Sequence, residues 1–422
     1  MTQVVAKNII NDMSSESCPI VDGGEESRVS ENTVERTVVV KARIHHATTR
    51  IKECAFSHSN ITIAVIPEGV THIGRNAFEF CKDLVKVVFL GPTTTISKEA
   101  FLACENLTTI EGLSGKLTNI GEGAFERCTS LTNLEWLSET RVNRIKASTF
   151  SKCYGLTSLR GLPARITSIE DAAFFKCKSL TSLHGLPRCL TSLGEWAFQD
   201  CTSLKSLRGL PDALFKIGNS AFANCAGLES LHGWPVGMTE IGTYAFGHCT
   251  GLTSLKGMSP WITDIAGSIF VCCTGLASLE GFPAATRICD DAFSGCTGLA
   301  SLEGLHEELK EIGDRSFQDC TSLESLEGLP DRVEFIGEKA FTGCSKLVPG
   351  CLPERLRKIG RGAFYDISRK GTINLNGMAK MMKESHISEN IYFGLKDPDG
   401  DYESPPEISD SEADSDDSDS EW

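Results

Sequence analysis

Apolar positions in this chain recur on a long period, not at the 3.6 of a helix or the 2 of a half-buried strand. Phe56, Phe78, Phe101, Phe125, Phe150, Phe174, Phe198, Phe222, Phe246, Phe270, Phe293, Phe317, Phe341 and Phe364 follow one another at 22 to 25 residues, most often 24. Counted from each Phe as zero, most units carry Cys at +3, Leu at +6 and +9, Gly at +11, Leu at +12, Pro at +13 and Ile or Leu at +19, usually with Gly next. The unit at Phe198 shows this as Cys201, Leu204, Leu207, Gly209, Leu210, Pro211, Ile217 and Gly218. Units of this length cannot bury their own apolar side and do so by stacking on one another. The expected fold is an α/β repeat solenoid of about 13–14 repeats, a curved stack of short parallel strands with helical turns.

Within a unit, the Leu-x-x-Leu step is expected to lead into the strand. The helical turn is expected at Gly-x-x-Ala-Phe-x-x-Cys, as in Gly194–Cys201 and Gly218–Cys225. Three residues before Phe stand Glu122, Asp171, Glu195, Asn219, Asp314 and Glu338, which suit the open N–H groups of a helix's first turn. Gly at +11 interrupts the apolar pattern and points to a bulge or a close backbone approach.

These residues resemble the leucine-rich repeats of the BspA type, also called the Treponema pallidum type. Its hallmark is Ile-Gly-x-x-Ala-Phe-x-x-Cys-x-x-Leu, reproduced here from Ile73 through Cys81 to Leu84. The likeness runs from about residue 50 to 365. The extra Gly at +11 gives mostly 24 residues in place of the family's usual 23. The resemblance implies a stacked-coil architecture, and it carries a secreted or cell-surface adhesin as one functional expectation.

Twelve of the eighteen cysteines occupy +3: Cys81, Cys104, Cys128, Cys153, Cys177, Cys201, Cys225, Cys249, Cys273, Cys296, Cys320 and Cys344. Side chains in register point the same way, so they are expected to stay reduced and to act as small buried apolar groups. No Cys-x-x-Cys pair occurs, adjacent Cys272 and Cys273 should diverge, and His45 with His46 is an isolated pair; no metal or other cofactor is expected. No Ser/His/Asp order, phosphate-binding Gly loop or His-Glu-x-x-His helix stands out, so no enzyme is expected.

The organisation read from composition is a polar segment over 1–35, an N-terminal cap over 36–50, the solenoid over 51–365, a C-terminal cap over 366–396 and an acidic Ser/Asp/Glu tail over 397–422. That tail holds twelve acidic residues and no Lys or Arg, supplying −12 of the formal −15. A segment of this composition gains too little by burial to offset its ordering entropy. Ser409, Ser411 and Ser418 each have an acidic residue three positions on and are candidate phosphorylation sites. The N-terminus has no basic start with an apolar run, and no stretch reaches the roughly 18 apolar residues of a membrane span, so a cytoplasmic or nuclear monomer is expected.

The informative surface column is +10, which should face solvent between two buried leucines. It reads Glu111, Glu135, Arg160, His184, Arg208, His232, Lys256, Glu280, Glu303, Glu327: acidic, then basic or titratable, then acidic. Stacked at about 4.8 Å, the five central groups form a stripe of roughly 20 Å that could take an acidic segment of a partner or of the chain itself. His184 and His232 gain charge on acidification, so binding there is expected to depend on pH. The alternative is a solvated face patterned by duplication. The neighbouring +8 column is mostly Ser, expected to form hydrogen-bond ladders. A net acidic chain without a basic footprint is a poor fit to nucleic acid. The leading expectation is a non-catalytic scaffold for a protein or peptide partner, with a chaperone of basic proteins such as histones as a third reading.

Overall fold

The computed structural model describes residues 40–42, 44–348 and 350–367, and these form a single stack of coils joined by parallel strand pairing. Residues 1–35, nearly all of 366–396 and the tail 397–422 lie outside the described residues.

The regular strand of each coil is the two-residue x-Ile step just before Gly, not the segment after Leu-x-x-Leu. Arg50–Ile51, His72–Ile73, Thr95–Ile96 and Asn119–Ile120 pair in that order. Arg144–Ile145 to Glu240–Ile241 and Asp264–Ile265 to Lys358–Ile359 continue as two five-stranded parallel sheets. The register is uniform, Ser168 facing Ser192 and Ile169 facing Leu193, so each inward Ile or Leu sits over its counterpart. Among the described residues, strands in the Leu-x-x-Leu region form only in the first coils, at Ile63–Ile66, Lys86–Phe89 and Thr109–Glu111, with Lys41–Ala42 added in front. Those segments are rich in β-branched residues. In the coils of Phe150 to Phe317 the same place holds Ser-Leu-x-Gly followed by a large apolar residue, and Gly at +11 breaks the extended run.

That glycine makes a close approach. Gly209 has φ +107°, and a Cβ there would lie 2.6 Å from the Leu183 carbonyl carbon and 2.7 Å from the His184 nitrogen. The same conformation recurs from Gly161 to Gly328. Gly209→Ala is expected to cost about 2 kcal/mol or more in urea unfolding, because both the backbone strain and the contact with the coil below are unfavourable. A cost below about 0.5 kcal/mol, the range of an ordinary surface change, would contradict this packing.

No helix forms at Gly-x-x-Ala-Phe-x-x-Cys. Left-handed residues stand two before and two after each Phe, as at Trp196 (φ 53°) and Asp200 (φ 60°), and they reverse the backbone sense too often for a helix to propagate. Alternate N–H groups point along the stack: Trp196, Phe198 and Asp200 donate to the carbonyls of Asn219, Ala221 and Ala223 at 2.9, 2.8 and 2.9 Å. The intervening Gln199 and Cys201 donate back three residues, to Trp196 and Phe198. The expected helix caps therefore serve the next coil. Asp171, Asn219 and Asp314 accept the N–H groups of Glu195, Thr243 and Glu338 at 2.8, 3.0 and 2.7 Å.

The core is two columns. The Phe rings run in an unbroken stack from Phe56 to Phe364, neighbouring centroids 5.1 to 5.9 Å apart and nearly parallel. Beside them the +3 thiols are fully buried and unpaired. Each also does more than fill space, since its Sγ–H donates to the Phe carbonyl of the coil before, as Cys201 to Phe174 at 3.4 Å and Cys225 to Phe198 at 3.3 Å. Cys273 lies in this column while Cys272 is partly exposed. One coil deviates: Trp136 stands at +11 in place of Gly, and a 3-10 turn over Glu135–Leu137 brings its ring within 5.0 Å of Phe125.

Candidate interaction surface

The repeat places +10 between Leu at +9 and Leu at +12, both buried, so its side chain points outward. Leu207 and Leu210 are buried around exposed Arg208, and Leu183 and Leu186 around exposed His184. Arg160, His184, Arg208, His232 and Lys256 are all exposed, in five successive coils. Glu135, Glu280, Glu303 and Glu327 are exposed as well, and Glu111 is half-buried. The +8 serines do not ladder between coils. Ser158, Ser278 and Ser325 instead accept the N–H two residues on, that of Arg160, Glu280 and Glu327, at 3.0 to 3.2 Å, which fixes the backbone that carries the column.

Ion pairing divides the stripe. Lys256 meets Glu280 of the next coil at 2.8 Å, and Glu111 is taken by Lys86 at 2.9 Å. Both pairs are exposed or partly so and add little stability, but the first neutralises the Lys256 end of the basic block and the second an acidic group of the flank before it. Among the described residues Arg160 and Arg208 have no carboxylate within 4 Å. The unpaired cationic side chains of the column are thus Arg160 and Arg208, with His184 and His232 in the same row, one coil shorter than the sequence indicates. The sequence reading also missed Arg165 and Arg188, exposed at +15 and +14 of the same coils. Arg165 and Arg141 border a hollow of about 510 Å³ between coils.

A second feature lies on the x-Ile-Gly side. Strand pairing lapses between Ile241 and Asp264, and a trough of about 790 Å³ opens there, bordered by Lys216, Glu240, Asp264 and Trp261. Trp261 is 78% exposed, and the Lys216 and Glu240 side chains pair at 3.3 Å. No periodic signal announces it, because Trp261 occurs in a single coil.

His45 and His46 lie ring to ring at 4.2 Å, and no group of three or more metal-ligating side chains occurs among the described residues. None of the described helices is long and apolar enough to cross a membrane. Ser409, Ser411 and Ser418 are outside the described residues.

Uniform parallel coils with a leucine-lined interior and a patterned outer face define a leucine-rich repeat solenoid. The BspA type Leucine rich repeat region matches residues 49–181, 143–277 and 263–391, and the chain belongs to this family. Among solved structures it is similar to a leucine-rich repeat protein from Bacteroides ovatus, 26% identical with a TM-score of 0.56 over 79% of this chain and 86% of that one. It is also similar to a leucine-rich cell surface protein from Faecalibacterium prausnitzii, 24% identical with a TM-score of 0.46 over 79% of this chain and 88% of that one. No curated protein matches the chain.

Proposed function

We propose that this chain is a non-catalytic scaffold that binds an acidic protein or peptide segment along the +10 column. The observation that carries the reading is the run Arg160, His184, Arg208, His232: outward-facing, at one register, with its arginines unpaired and with acidic blocks beyond both ends. Long solenoids offer extended surface, and complementary charge sets the register of a bound partner. The exposed thiols of Cys54 and Cys351 and the partly exposed ones of Cys189, Cys272 and Cys289 are all unpaired, which favours a reducing, intracellular setting.

The variant Arg160→Glu/Arg208→Glu/Lys256→Glu tests this. Each site is exposed, so unfolding stability should stay within about 1 kcal/mol of the parent. Capture of acidic partners from the native cell is expected to fall at least about tenfold. Unchanged capture of every partner, with the fold intact, would remove the column as the binding surface.

A second reading, a secreted or cell-surface adhesin, draws on family membership, and cell fractionation separates it from the first. A third, a chaperone of basic proteins such as histones, draws on the charge of 397–422, whose deletion should then abolish histone binding.

A further inference from the structure

We propose that the chain's own acidic segment, residues 397–422, docks on the basic column and occupies it until a partner displaces it. This rests on the reading of that column as a binding surface, and it names its resident occupant. Charge complementarity is the first argument. Arg160 and Arg208 are exposed and in no ion pair among the described residues, His184 and His232 continue the row, and the segment carries −12 with no Lys or Arg. Register is the second. The acidic groups Glu135 on one side and, beyond the Lys256–Glu280 pair, Glu303 on the other stand past the two ends of the row, so an acidic strand fits over the middle coils.

Reach is the third argument. Ile367 belongs to the coil of Phe364, seven coils from Phe198 and nine from Phe150. At about 4.8 Å per coil the column lies roughly 35 to 45 Å back along the stack. Even with 366–396 held as a cap, residues 397–422 number 26 and span at most about 90 Å when extended, about twice the need, so their distal acidic half reaches the row. A tethered ligand acts at an effective concentration on the order of millimolar, so a contact with a dissociation constant below about a millimolar is largely closed and a partner must out-compete it. Phosphate on Ser409, Ser411 or Ser418 adds negative charge to the occupant and tightens it.

The test uses the full chain with a photo-crosslinking benzoylphenylalanine in place of exposed Thr181, in the same coil as His184. After irradiation and digestion, mass spectrometry is expected to find Thr181-site adducts with 397–422, within one chain and at a yield independent of protein concentration. The yield should fall about tenfold in Arg160→Glu/Arg208→Glu and in 1 M salt, where screening acts beyond about 3 Å. Adducts absent from 397–422, a yield indifferent to charge reversal, or adducts only between two chains would each overturn the proposal. If charge reversal abolishes partner capture while no such adduct forms, the binding surface stands and its resident occupant falls; if capture is also unchanged, both fall.

Discussion

Phe222→Ala is expected to destabilise the protein by about 3–5 kcal/mol in urea unfolding, the range for truncating a fully buried Phe. The ring is fully buried between Phe198 and Phe246, with centroids 5.5 Å away on either side. Its loss removes two stacked contacts at once and leaves a void that neighbouring coils can close only by breaking register, because their turns are tied to the adjacent coils by the N–H ladder at Phe198 and Phe222. In a solenoid each unit is stabilised by its neighbours alone, so a central lesion also uncouples the two halves. The variant should therefore unfold in two steps where the parent unfolds in one. Phe222→Leu retains most of the volume and should cost less than half as much. A single transition with a loss under about 1 kcal/mol would mean that the rings do not form the continuous column.

Alkali is expected to unfold the protein cooperatively between about pH 9 and 11. Burial is the leading cause that pushes the column thiols up: Cys81 to about 11, Cys273 and Cys344 to about 12, and Cys177, Cys201 and Cys249 well above the ordinary value of 9.0. The folded chain thus holds these protons more tightly than the unfolded one. Their stabilising contribution is complete below about pH 9, is drawn down as the unfolded thiols begin to ionise, and is spent once the pH passes the folded values. Each buried thiol removes on the order of 1 kcal/mol per pH unit in that window, and a dozen of them exceed ordinary folding stability. The urea midpoint measured from pH 7 to 10.5 should be flat at first and then fall steeply. In Cys201→Ala/Cys225→Ala/Cys249→Ala, the fall should be about a quarter shallower, with a lower starting point from three small cavities. Equal slopes in parent and variant would show that the thiols do not titrate as a buried column.

The spacing of Phe and Cys made the stack and its interior legible, because a 24-residue period leaves few ways to bury Ala-Phe-x-x-Cys. Solvent exposure at +10 was equally legible from its place between two leucines. The turn was not. Gly-x-x-Ala-Phe-x-x-Cys has the spacing of a capped helix, and nothing in residues as varied as Trp196, Ser220 and Tyr244 signals that this position is left-handed. What decides it is the hydrogen bonding to the next coil, a property of the stack and not of one unit. The strand was displaced for a related reason: Ile217 before Gly218 pairs uniformly, while Gly209 ends the extended run that Leu204 and Leu207 begin. Pairing across coils also escaped the sequence, since whether Lys256 reaches Glu280 depends on the side-chain conformations of two neighbouring coils.

Hydrogen exchange on a captured complex tests the central claim most directly, that partners meet this protein along +10. The account predicts slowed exchange at the amides of Arg160, His184, Arg208 and His232 and their flanking leucines and glycines, with the x-Ile ladder at Ser168, Ser192 and Lys216 unchanged. Protection confined to that ladder, or to the trough beside Trp261, would contradict it.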